Sequence, residues 1–89
     1  MHNFSVEDNL KKYLKKIFKK DKVMYDSVMK KMDEIINCEN VNHYKNLKSP
    51  LNDFKRVHVR SSFVLIFKYI ESEDKVVFYD LDHHDNIYN

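Results

Sequence analysis

Lys55-Arg56-Val57-His58-Val59-Arg60-Ser61-Ser62-Phe63-Val64-Leu65-Ile66-Phe67-Lys68-Tyr69-Ile70 is the stretch that decides the fold. Val57 and Val59 alternate with Arg56, His58 and Arg60, the period-two pattern of a strand with one apolar and one basic side. Phe63–Ile70 is rich in β-branched and aromatic residues and apolar on both faces, so it reads as a central strand. Downstream, Glu71–Lys75 is a polar turn and Val76–Leu81 the next strand. Upstream, His2–Ser5 is long enough for only a very short edge strand.

Before Pro50 the period is helical instead. Leu10, Tyr13, Leu14, Ile17 and Phe18 follow the i, i+3, i+4, i+7, i+8 stripe of an amphipathic helix over about Val6 to Lys19. Ser5, with Asp8 three residues later, has the spacing of an acidic capping box. Asp21 is placed to cap a second helix whose stripe is Met24, Val28, Met32, Ile35 and Ile36, and Asn37 or Asn40 ends it. A link of a few residues makes the pair an antiparallel hairpin. Helices grouped before antiparallel strands argue an α+β domain with the helices on one sheet face.

The chain of 89 residues has room for one domain, with 43% apolar and 34% charged residues, a globular composition. Its longest apolar run, Phe63–Phe67, is far short of a membrane span, and Met1–Val6 does not have the form of a secretory signal. One cysteine, Cys38, makes no internal disulfide and fits a reducing cytoplasm. With no glycine, the chain has no phosphate-cradling loop of the nucleotide-binding kinds. Charge is uneven. Residues 41–70 carry Lys45, Lys48, Lys55, Arg56, Arg60 and Lys68 against Asp53 alone, whereas residues 71–89 carry six acids against Lys75. The basic middle suits a local polyanion contact; a solvated surface is the plainer alternative.

Two constellations have the elements of a reaction site. Arg56, His58 and Arg60 at spacing two project from one strand face, neighbours about 6–7 Å apart, as two cations flanking an imidazole. Asp80-Leu81-Asp82-His83-His84-Asp85 places adjacent histidines beside carboxylates. The spacing suits a metal poorly, because neighbours in an extended segment point to opposite faces; a carboxylate orienting an imidazole is easier to build. An ordinary polar strand end is the other reading. Tyr88 stacks on a base, donates from its phenol or packs with Ile87 against the sheet.

In this order the pieces resemble the RelE/ParE superfamily of toxins from type II toxin–antitoxin pairs, over most of the chain. Leu47-Lys48-Ser49-Pro50-Leu51 is similar to the family's LKG-x-L turn, and Arg56-Val57-His58-Val59 to its R-V-R-V strand. The spacing of His58-Val59 to Ser62-Phe63-Val64-Leu65-Ile66-Phe67 resembles YafQ-like members, and His83-His84-Asp85-Asn86-Ile87-Tyr88 resembles the H-R-x-x-V-Y close. Ser49 and Asp53 stand where the family has glycines, Phe63 where many members have arginine, and Asp82 where glycine precedes the histidine. The resemblance implies an N-terminal α-helical hairpin packed on a small, mostly antiparallel four-stranded sheet, and a cytoplasmic toxin that cleaves mRNA, in many members at the ribosome. It implies an acidic antitoxin as protein partner and no membrane association.

By position, the resemblance puts Lys48 at the basic residue of the turn, Arg56 and His58 at the basic strand pair, His83 or His84 at the C-terminal histidine, and Tyr88 at the terminal aromatic. RNA carries its own nucleophile, so the expected cleavage needs no metal and no cofactor: His58 with His83 or His84 moves protons, beside Arg56 and Tyr88. Lys48, Lys55 and Arg60 are expected to bind the substrate phosphate. Two other readings stay open: a ParE-like toxin that inhibits DNA gyrase without cutting, and an inactive domain that serves as antitoxin partner or co-repressor.

Overall fold

The computed structural model describes residues 1–88, excepting the side chain of Tyr88. A four-residue strand, β1 (Asn3–Val6), leads into α1 (Asp8–Lys20) and α2 (Lys22–Asn37), with Asp21 alone between the helices. As expected, Asp21 caps α2, its Oδ1 accepting the Met24 amide at 3.1 Å. The Ser5 cap does not form. Ser5 is paired with Val77 in the sheet, α1 starts at Asp8, and Glu7 occupies the cap position without a side-chain bond. The sheet claims the serine before the helix can.

After a single 3₁₀ turn at Val41–His43, the chain forms β2 (Lys55–Val59), β3 (Phe63–Ile70) and β4 (Lys75–His83). The strand order is β1-β4-β3-β2, antiparallel except for the parallel pairing of β1 with β4. The last strand is longer than its apolar run because Asp82 and His83 pair with Val64 and Phe63. A short final helix, α3 (His84–Tyr88), follows.

Alternation decides which side chains meet the helices. Leu10, Leu14 and Ile17 of α1 and Met24, Val28, Met32, Ile35 and Ile36 of α2 pack on Val59, Leu65, Phe67, Val76, Phe78 and Leu81. The switch from even to odd numbers along β4 is a bulge: Phe78 pairs with Phe67, but Leu81 pairs with Leu65. Val64 and Ile66, on the other face, are buried as well, so β3 is covered on both sides as its composition requires. Among the described residues, no helix is long and apolar enough to cross a membrane.

Candidate functional site

The helix-free face of the sheet carries the basic strand. The ladder aligns His58 with Val64 and Val64 with Asp82 in one row, and Val59, Phe63 and His83 in the next. Successive rows point to opposite faces. Arg56 and His58 therefore share the open face with Asp80 and Asp82, whereas Val59, Phe63 and His83 turn toward the helices.

The chain then leaves the strand. The His84 amide donates to the Ser62 carbonyl at 2.7 Å, and α3 turns the His84 side chain back over the open face. There its ring stacks on His58, centroids 5.3 Å apart and planes 28° from parallel. Asp82 Oδ1 accepts the Asn86 side-chain amide at 2.9 Å and the His83 backbone amide at 2.7 Å. A five-residue helix has no stability of its own, so these bonds hold it in place. Asp85 lies close to both tail histidines, 3.7 Å from His83 Nδ1 and 3.8 Å from His84 Nδ1.

Of the alternatives at the C-terminal histidine, His84 is the one beside His58. His83 packs edge-on against Phe63 at 5.6 Å on the other side of the sheet, and its Nδ1 accepts the Asp85 amide at 3.3 Å. Lys48 and Arg56 line a common cavity of about 420 Å³ with Ile87. The Tyr88 side chain lies outside the described residues.

Two expected phosphate ligands are elsewhere. Lys55 has odd parity with Val57 and Val59 and is only 7% exposed; its Nζ donates to Asn46 Oδ1 at 2.9 Å and to the Tyr44 carbonyl at 3.3 Å. Burial holds its pKa below the ordinary lysine value. It fastens the 44–46 loop to the sheet. Arg60 follows the last residue of β2 and has φ of 55°, the left-handed region, so the strand alternation no longer applies to it. It lines a cavity on the helix side of the sheet with Tyr13, Lys16 and Lys20.

The six C-terminal acids divide in the same way. Glu71, Glu73 and Asp74 precede β4 and so lie at the far end of the nine-residue strand from His84. Of the rest, Asp82 and Asp80 accept backbone amides at 2.7 and 2.9 Å, which offsets part of their charge near the basic face. Among the described residues, no three His, Cys, Asp or Glu side chains are grouped to hold a metal ion. Cys38, its Sγ donating to the Ile35 carbonyl and its pKa raised by burial, is an unreactive thiol.

Fold and site together define a small α+β domain with a helical hairpin on one sheet face and a cationic, histidine-bearing surface on the other. No protein-family model matches the chain. A Methanocaldococcus jannaschii protein whose name assigns it to the RelE toxins (RelE4) is 50% identical over 88 residues, covering 99% of this chain and 92% of that protein. The fold is that of the Escherichia coli toxin YafQ, with a TM-score of 0.76 over all of both chains at 18% identity. It also matches a chain of the intact Escherichia coli RelBE toxin–antitoxin complex, with a TM-score of 0.71 at 16% identity, over 91% of this chain and 94% of that one. The chain belongs to the RelE family of toxins.

Proposed function

We propose that this protein is the toxin of a toxin–antitoxin pair and acts as a ribosome-associated mRNA endoribonuclease. The observation that carries this reading is the stacked pair His58 and His84 beside Arg56 on the open face. One imidazole takes the proton of a ribose 2′-hydroxyl, whose oxygen attacks the adjacent phosphorus. The other protonates the departing 5′-oxygen, leaving a 2′,3′-cyclic phosphate and a 5′-hydroxyl. Imidazole suits both roles because it changes charge near neutral pH. Arg56 and Lys48 offset the charge that builds on the phosphorane oxygens. Asp85 places a carboxylate 3.8 Å from His84 Nδ1.

The antitoxin fits a different surface. Phe4, Phe18, Tyr25 and Met29 wall an apolar groove of about 600 Å³ between β1 and the helices, rimmed by Lys11, Lys15 and Lys19. Phe4 and Phe18 are half exposed, a liability that an acidic amphipathic partner removes.

Inducing the chain alone, with growth curves and mRNA 5′-end mapping, tests the reading. Growth arrest with discrete cuts that the His58→Ala and His84→Ala variants abolish is the expected result. Arrest with intact mRNA and blocked DNA supercoiling would assign the protein to gyrase inhibition instead.

A further inference from the structure

The cavity that receives Arg60 has its own chemistry. It lies on the helix side of the sheet, between the α1–α2 junction and the β2–β3 turn, with a volume of about 520 Å³, within the range of small-molecule sites. Its floor is apolar and buried, formed by Ile17 and Met24. The half-buried rings of Tyr13 and Phe63 form its walls. At the rim, exposed Lys16, Lys20 and Arg60 meet two hydroxyl groups, Ser61 and Ser62. Asp21 is the one acid of the lining, and its Oδ1 is engaged with the Met24 amide.

Each layer selects something. Aromatic walls over an aliphatic floor accept a flat heterocycle, and stacking on such rings is indifferent to which base is offered. Three cations from two chain segments, together with two hydroxyl donors, suit a phosphate rather than a neutral sugar or a lipid tail. Burial and the nearby Asp82 and Asp80 charges raise the Tyr13 pKa, so the phenol stays a neutral hydrogen-bond donor at the wall. Arg60 holds a left-handed backbone that a non-glycine residue adopts at a cost, and that backbone puts it at this rim. The cavity is linked to the start of α3 through the backbone: Ser62 lines it, and the Ser62 carbonyl accepts the His84 amide.

We propose that this cavity binds a nucleoside monophosphate unit, its base between Tyr13 and Phe63 and its phosphate on Lys16, Lys20 and Arg60. In an RNA strand that unit is a nucleotide flanking the scissile linkage, the chain passing around the β2–β3 turn from one sheet face to the other. The strand's identity rests on the ribonuclease reading; the pocket chemistry does not.

The test is a titration of the whole protein, followed by amide chemical shifts, with adenosine 5′-monophosphate, inorganic phosphate and a 2′-O-methyl RNA pentamer that cannot be cut. The mononucleotide is expected to shift the amides of residues 60–63 and of Tyr13, and to bind about tenfold tighter than phosphate because the base adds its own stacking. A Lys16→Glu/Arg60→Glu double variant is expected to weaken mononucleotide binding about tenfold or more, through lost charge-assisted bonds. If the pentamer shifts the same amides and the double variant raises KM for RNA cleavage with little change in kcat, the occupant is a flanking nucleotide. Mononucleotide binding without a pentamer effect makes it a free nucleotide. Equal affinity for phosphate and mononucleotide, or binding that the double variant leaves intact, overturns the proposal. A chain that cuts no RNA yet binds the mononucleotide here overturns the ribonuclease reading alone.

Discussion

The sheet holds histidine at each end, and the two sites are built to opposite plans. At one end, His2 is clamped. Its Nδ1 lies 2.6 Å from Asp74 Oδ1 and its Nε2 2.6 Å from the Cys38 carbonyl, with Tyr69 edge-on at 5.6 Å and its hydroxyl donating to the same Asp74 oxygen at 2.8 Å. The His2 side chain is 13% exposed. Those contacts tie β1 to the end of α2 and to the β3–β4 turn. At the other end the His84 side chain is 44% exposed and stacked on His58, with Asp85 Oδ1 3.8 Å from its Nδ1. A histidine with both nitrogens committed to the fold joins elements, whereas a stacked pair at an open surface faces whatever lies against that surface.

Substitution separates the two ends. His58→Ala or His84→Ala is expected to lower the RNA cleavage rate about 10²–10⁴-fold, the usual worth of a proton-transfer group, with Tm little changed. Single-turnover cleavage and a thermal melt read both quantities. Equal loss of Tm and rate would make the open pair structural and erase the contrast.

Lys55 tests the same distinction among the cations. Lys55→Ala leaves Asn46 Oδ1 and the Tyr44 carbonyl without their partner and is expected to cost about 1–3 kcal/mol in urea unfolding. His2→Ala unpairs the part-buried Cys38 carbonyl and is expected to cost about 1–2 kcal/mol, with cleavage per folded molecule retained. The smallest effect is on pH dependence. The bonds from His2 and Tyr69 hold the Asp74 pKa below its ordinary 3.8. On acidification the unfolded chain therefore takes this proton first. The stabilisation is fully present above pH 3.8 and disappears as pH falls through the lower folded value. Asp74→Asn is expected to flatten that acid limb in a pH series of melts.

Period and composition were enough for the helical hairpin, the central strand and the Asp21 cap, because each is a local pattern that tertiary packing reinforces. Where side chains leave the basic face, the causes are local too. Arg60 has the right spacing for the basic face, but alternation holds only while the backbone stays extended, and it stops at Val59. Lys55 shares the parity of Val57 and Val59, and that parity, not its charge, decides which way it faces. The position of His84 needed α3, which is too short to leave a periodic signal. The Asp82–Asn86 spacing of four, the side-chain bond that fastens it, is the trace it leaves in the sequence.

The central claim is that an imidazole pair on the open face lets a ribose hydroxyl cut its own chain. An RNA substrate with a single 2′-deoxy nucleotide at the mapped cut, incubated with the protein in excess chelator, tests it most directly. The account predicts that the deoxy strand stays intact while its all-ribose twin yields a 2′,3′-cyclic phosphate and a 5′-hydroxyl. Cleavage of the deoxy strand at the same linkage would contradict it.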